Sequence, residues 1–482
     1  GSNCGYGAGN QWGNITGGHK QGKNVIAVAN LTNDDNIANS SSRGPAHDGR
    51  VKPDIGGVGT SVYSTEDNNT YGIKTGTSMS CPGIAGTLSL LYQGYKNYNN
   101  GAEPDGGLAK AILMNTAEDL GNDHVDFKYG YGRINAFRAM QCIELDQINI
   151  DNVSGGNSNT YNIDVPAGTK EVRVMLHWTD PQAFSFSSRA LINDLDLTVK
   201  HLASNTIYQP WVLDPTPNST TLNNTAVRAT DSLNNTEQFT LVNPDSGIYT
   251  ITVQGSGIPQ GSQKYYIVYS FISNNLNLMA PYGGEVLDPV RNFDIRFEGV
   301  NLTGNSAIDY STDNGSTWIN IVTGLNASTR NYSWNIPNSV FTTEAKVRVT
   351  NGAYTSISNT FSILRVPSGL SIDWVCIDSM QVSWNPVLGA MGYVLHQLGT
   401  EYMDSVGTTA QTNFVYKGIN PSQSEWISVS ALDSLGKNSV RSKAIQSPIG
   451  LVNCSLPYDV EVSQILHPLG NYSDCLNPGS VS

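Results

Sequence analysis

At 482 residues the chain is too long for a single hydrophobic core and implies three or four domains. A formal charge of −13 argues against nucleic acid or an anionic membrane as a partner, since both would repel it. Only 14% of residues are charged, while Gly, Asn, Ser and Thr abound, a balance suited to β-rich extracellular modules with many tight turns. No apolar run approaches the roughly 18 residues that a membrane-spanning helix needs. The first residue is Gly1 and no basic-then-apolar signal stretch is present, so the chain reads as a mature product or a window of something longer.

Residues 1–145 read as α/β. The run 24–30 (Asn-Val-Ile-Ala-Val-Ala-Asn) is short, apolar and β-branched, as a buried parallel strand requires. Ile84, Ala85, Leu88, Leu91 and Tyr92 are spaced for one face of a helix expected from Met79 to about Tyr98. A second helix is expected over 108–116, closing near Gly121. From about 146 the texture becomes all-β, with strand-length runs at 172–178, 195–201 and 247–253 separated by Gly, Asn and Pro. A break at 273–275 precedes a third unit, 276–365, in which a strand at 308–311 runs into an Asn314-Gly315 turn. A fourth unit, 366–449, has short strands around Met380 and Tyr393, with Trp384 as the expected core aromatic, and resembles a fibronectin type III module. Residues 450–482 read as the start of a further β-domain, with a strand expected from Asp459.

The strongest chemical signal is Gly76-Thr77-Ser78-Met79-Ser80-Cys81-Pro82. A serine nucleophile must be presented at a sharp turn with its own N–H free for an oxyanion, and the helix that follows aims its positive end at the site. Pro82 suits an early helical position, where its missing N–H costs little. A plain strand–turn–helix cap would explain an isolated Thr-Ser pair. The whole string, however, resembles the nucleophile motif of the subtilase family. Residues 40–45, 48–54, 111–117 and 130–135 resemble the segments that flank that motif. The family's Ala-Pro-Gly is replaced here by Gly57-Val58-Gly59. The fold class implied is multidomain: a partial α/β subtilisin-like domain (1–145), then all-β sandwiches comprising a jelly roll (146–275), an Ig-like unit (276–365) and the fibronectin III-like unit. The activity implied is that of a serine endopeptidase with Ser78 as nucleophile, acting on protein or peptide substrates. The modules also resemble large exported subtilases of the Bacteroidetes, which implies a bacterial extracellular or cell-surface location and, as partners, other cell-surface proteins.

The resemblance extends past the catalytic segment. His177-Trp-Thr-Asp-Pro181, 191–197, Asn234-Asn-Thr-Glu237 and 247–251 are similar to the jelly roll that follows some bacterial subtilase domains. Some members bind structural Ca²⁺ there, which implies Asp180, Asp194 and Asp196 as ligands, since a hard cation wants several oxygens. No cofactor is implied for catalysis itself. The bland alternative makes Asp194 and Asp196 polar positions beside a turn.

A subtilase triad runs Asp, His, Ser along the chain, yet only 77 residues precede Ser78. His19 and His47 are the upstream histidines and lack the family's His-Gly-Thr context. The triad Asp and His are therefore expected from an N-terminal segment, which becomes a partner. Asn10, in Gly7-Ala-Gly-Asn10, resembles the asparagine that supplies the second oxyanion donor. A competing reading is a surface adhesin or filament protein that reuses the scaffold without activity. Among six cysteines, Cys454 and Cys475 are the expected disulfide, with Cys376 competing for Cys454, while Cys81 and Cys142 are expected as buried thiols.

Overall fold

The computed structural model describes residues 7–454, apart from 10, 16, 17, 68, 69, 186, 275 and 301. The strand expected from Asp459, along with Cys475 and Asn10, lies outside the described residues.

The N-terminal unit is built on two parallel strands, β1 (Val28–Leu31) and β2 (Ile55–Val58), in register Val28↔Ile55. Pairing starts later than the apolar run because the front of that run is engaged elsewhere. Asn24 hydrogen-bonds the backbone of Asp180, and the Ala27 N–H donates to the Asp54 carboxylate at 2.6 Å. An antiparallel hairpin, β3 (Val62–Glu66) and β4 (Thr70–Lys74), leads into α1 (Thr77–Tyr98); α2 (Gly106–Asn115) and α3 (Ala136–Glu144) follow. Ile84 and Leu91 of α1 pack with Ile55, Leu108, Ile112, Ala139 and Ile143 in one core. Cys142 is buried there as expected, and desolvation pushes its thiol up to about 12. Cys81 departs from expectation and is exposed. It follows the buried Ser80 and is turned about 100° away from it, off the Ile84–Leu91 stripe.

A buried ion cluster ties these elements together. Asp54 pairs with Lys110 at 2.9 Å and with Lys52, and all three are almost wholly buried. Lys110 also donates to the carbonyls of Lys23 and Val25. Desolvation is the largest influence on Lys52 and lowers it to about 7. Burial opposes ionisation of Asp54, but the two ammonium groups outweigh it and hold the carboxyl below its usual value.

The second unit is a sandwich of two four-stranded sheets. In chain order its strands are β5 (Ile148–Ser154), β6 (Ser158–Val165), β7 (Glu171–Trp178), β8 (Asp194–His201), β9 (Thr206–Tyr208), β10 (Trp211–Val212), β11 (Val227–Arg228), β12 (Thr236–Val242), β13 (Gly247–Gly257) and β14 (Ser262–Ile272). The sheet orders are β12-β7-β14-β5 and β6-β13-β8-β9. β8 alternates buried and half-buried residues, as a strand with one face on the core should. β7 is buried along its whole length because its sheet has the sandwich core on one side and α2 on the other. Tyr266 and Val268 of neighbouring β14 belong to the core of the N-terminal unit.

Two more sandwiches complete the all-β tail. In the first, strands Leu276–Ala280, Asn292–Gly299 and Asn331–Asn335 face a larger sheet centred on Thr342–Asn351. Asn314 and Gly315 both have positive φ, as the expected turn demands. Ion pairs moor this sandwich to the N-terminal unit: Arg138 to Glu298 at 2.7 Å, Arg330 to Glu118 at 3.3 Å, and Arg296 to Asp35 at 3.8 Å. The last described sandwich packs a three-stranded against a four-stranded sheet, with Trp384 in its core. Its disulfide joins Cys376 to Cys454, so the pairing expected between Cys454 and Cys475 gives way to the competing one. Cys376 follows the sandwich's first strand and Val375 bridges Val452, which brings the two Cα atoms to 5.2 Å.

Asp119 lines a cavity of about 450 Å³ where the first three units meet, beside Glu118, Arg138, Arg173 and Arg330. Its carboxyl is pushed up to about 7 by desolvation against the pull of Arg173, but the residue stays exposed at the cavity mouth, so water screens most of that effect on stability. A carboxyl raised on folding stabilises the fold fully below its unfolded pKa and loses that contribution as pH rises through about 7. The midpoint of thermal unfolding should therefore fall only slightly between pH 5 and 8. Asp119→Asn should flatten that slope, because the amide oxygen can still accept the His124 N–H now 2.7 Å away; an unchanged slope would contradict the assignment. Asp54→Ala, which leaves two buried ammonium groups without their counter-ion, should cost about 3–5 kcal/mol in urea unfolding.

Candidate active site

Ser78 stands on the second residue of α1 and is exposed to solvent. Its position follows from a chain of backbone contacts. The Gly59 N–H donates to Leu31 at the end of β1 (3.0 Å), and the Gly76 N–H donates to the Gly59 carbonyl (2.8 Å). The Gly76 carbonyl then accepts from Met79 at 2.9 Å. Gly76 has a φ of 158°, which glycine reaches without a Cβ penalty. A Cβ at Gly59 would collide with Ser80 Oγ and the Gly76 carbonyl, so this glycine lets the strand end touch the Gly76–Ser78 turn. One position of the Gly57-Val58-Gly59 departure also has a packing counterpart. A Cβ at Gly57 would press on Ile84 Cδ1 at 3.1 Å.

The first N–H groups of a helix have no intrahelical acceptor, and the Ser78 N–H is one of them. With the positive end of the helix dipole they make this turn a place where negative charge would be stabilised. Pro82 sits deeper than expected. As the sixth residue of α1 it removes the donor that would bond the Ser78 carbonyl, so its cost is one helical hydrogen bond.

No histidine among the described residues hydrogen-bonds Ser78. His19 lies in a short 3₁₀ turn (His19–Gln21), and both it and His47 are exposed. His124 stacks on Trp211 at 3.7 Å, His177 bonds Thr236, His201 bonds Ser204 and His396 bonds Ser430. Burial holds His177 well below the usual imidazole range, which makes it a neutral core residue.

The three aspartates expected as one cation site are not brought together. Asp180 is buried and ion-paired with Lys23, and its two oxygens accept from the N–H groups of Ile192 (3.0 Å) and Asn193 (2.8 Å). That carboxylate holds the N-terminal unit against the jelly roll. Asp194 and Asp196 share one face of β8, where Asp194 pairs with Arg189 at 3.2 Å and Asp196 accepts from Ser256. Desolvation, then the Asp196 charge, raises Asp194 to about 6. Two nearby carboxylates escaped the sequence reading. Glu237, in the segment 234–237, accepts from the Leu197 N–H at 2.6 Å, while its other oxygen is buried without a partner. Burial, then Asp231, holds the Glu237 carboxyl well above its ordinary value. Among the described residues no three His, Cys, Asp or Glu side chains converge closely enough to hold a metal ion.

Parts of the chain are similar to known proteins. The model of the Subtilase family matches residues 6–132. The Dictyostelium discoideum serine protease/ABC transporter B family protein tagD is 25% identical over 315 residues, covering 50% of this chain and 17% of that protein. The C5a peptidase of Streptococcus pyogenes is 38% identical over 86 residues, covering 17% of this chain and 7% of that protein. The chain thus spans less than a fifth of the length of these relatives. The crystal structure of a lanthipeptide protease overlaps 24% of this chain and 40% of its own, at 23% identity and a TM-score of 0.22. What these comparisons show is a likeness to the subtilase family over residues 6–132.

Proposed function

We propose that the chain is the serine-bearing part of a secreted or surface-attached endopeptidase. The observation that carries this reading is Ser78 itself, exposed at a helix N-terminus with a free N–H and fixed through Gly59. Ser78 Oγ would attack the scissile carbonyl, and its proton would pass to a histidine on a separate N-terminal segment, oriented by an aspartate there. The Ser78 N–H would stabilise the oxyanion, with Asn10 as the second donor; losing one such donor typically costs about 10²–10³ in turnover. Two surfaces support docking of that segment. Among the described residues β1 has no full strand beside it except β2, although Asn30 on its outer edge already bonds Ala38 and Ser41, so a further strand could add only around Val28; α1 exposes Cys81, Ala85 and Leu90. The Cys376–Cys454 disulfide supports an oxidising, extracellular setting.

A structural calcium ion belongs to this reading at Asp194 and Asp196, without Asp180, whose oxygens are already committed. The buried unpartnered oxygen of Asp194 supports it, because a bound cation would offset its desolvation, with backbone or solvent oxygens completing the shell since no third carboxylate among the described residues converges there.

Fluorophosphonate should label natively purified protein at Ser78, located by peptide mapping, and Ser78→Ala should abolish both label and peptidase activity while the protein stays folded. No label on well-folded protein would favour the adhesin reading. Gly59→Ala should sharply reduce labelling by displacing the Gly76 turn. Calcium added after chelation should raise the unfolding temperature at pH 7.5, and Asp194→Asn with Asp196→Asn should remove the increase; an increase that survives both changes would place any cation elsewhere.

A further inference from the structure

The hairpin that leads to Ser78 forms a two-stranded sheet of its own, with both outer edges free of strand partners among the described residues. Its register, Tyr63↔Ile73 and Thr65↔Tyr71, sets these four residues on one face. Tyr63 and Tyr71 stack with ring centroids 5.6 Å apart, yet they remain 65% and 50% exposed. Two large aromatic rings are therefore left to water on an element that enters the nucleophile turn directly.

Opposite them stands the last described sandwich. Tyr63, Tyr71, Met403, Arg441 and Lys443 border a groove of about 630 Å³, which adjoins a second of about 360 Å³ reaching Leu398 and Trp426. Arg291, from the preceding sandwich, adds a third cation, partly offset by Asp288 at 3.7 Å. Among the described residues the one carboxylate lining either groove is Glu66, and it is paired with Lys74 at 3.4 Å. In a chain of net charge −13, this is a locally cationic, aromatic trough.

We propose that this trough is an accessory subsite for an extended, acidic segment of the polypeptide substrate that carries aromatic side chains. The inference rests on the proteolytic reading for the word substrate, but its chemistry stands on the groove. Tyrosine rings supply wide contact area at small conformational cost, and the cations attract carboxylates over several ångströms. The open hairpin edges offer backbone N–H and C=O groups to an added strand. At ~3.3 Å per residue, β4 carries the trough up to about 17 Å from the turn, so the bound segment lies roughly four to six residues from the scissile bond. The enzyme would then select stretches of sequence and not only the residue at the cut.

The test is fluorescence anisotropy on the full chain bearing Ser78→Ala, so that no catalysis is needed. The probe is a fluorescein-labelled peptide of about twelve residues, rich in Asp and Glu with two Phe, and the control replaces each acid by its amide. The acidic probe should bind about tenfold more tightly than the control. Raising NaCl from 50 to 500 mM should erase much of the difference. The double variant Arg441→Glu, Lys443→Glu should abolish the preference, Arg441→Lys with Lys443→Arg should keep it, and Tyr63→Ala with Tyr71→Ala should weaken both probes. Equal binding of the two probes, or a preference untouched by charge reversal, overturns the proposal. In labelled wild-type protein, charge reversal should raise KM for an acid-flanked substrate about tenfold at constant kcat and leave a short peptide unaffected. Protein that binds the acidic probe but takes no fluorophosphonate label supports the trough as a peptide site and sinks only the proteolytic reading.

Discussion

The Asp54 carboxylate is the constraint on which the N-terminal unit depends. It sits at the mouth of β2, reaches back to the Ala27 N–H before β1, and neutralises Lys110 of α2 and Lys52 of the preceding loop. Those contacts set the parallel register of β1 and β2, and the ends of these strands carry Leu31 and Gly59, which position Gly76 and so Ser78. An ion cluster buried this deeply is a poor source of net stability, since desolving three charges consumes most of what their attraction returns. Its value lies in discrimination: any slip of β2 along β1 would strand an unpaired ammonium group inside the protein.

The same logic operates between units. Lys23 and Asp180 join the N-terminal unit to the jelly roll, and Arg138, Arg296 and Arg330 join it to the following sandwich. α2 is covered by the outer face of the jelly-roll sheet through Tyr266 and Val268. These units are therefore not beads on a string around the N-terminal unit, because apolar burial and ion pairs couple their orientations. The final sandwich is held more lightly, with Ser362 donating to Asp433 at 2.7 Å across its junction.

What the sequence made legible was periodic or motif-bound. The apolar spacing of α1, the alternation in β8 and the Asn314-Gly315 turn each encode local geometry directly, and Ser78 was singled out because the whole string 76–82 resembles a family motif. What escaped were properties decided by distant partners. Asp180 looked like a ligand until Lys23, 157 positions away, occupied it. Glu237 drew no notice as a possible ligand, because its proximity to Asp194 and Asp196 arises only when β12 and β8 fold into facing sheets. Cys81 passed for a core thiol because an apolar helix says nothing about which of its faces is covered. The late start of β1 likewise reflects a tertiary bond, from Asn24 to the jelly roll, overriding local strand preference.

The disulfide has a mechanical meaning. Cys376 follows the first strand of the last described sandwich and Cys454 follows its last, with 78 positions between them. Tension applied to the chain beyond Cys454 would enter at that sulfur and leave at Cys376, close to the junction with the preceding sandwich. The strands enclosed by the bridge would carry almost none of the force. A pull on the chain beyond Cys454 would thus leave the wall of the Tyr63–Tyr71 trough folded.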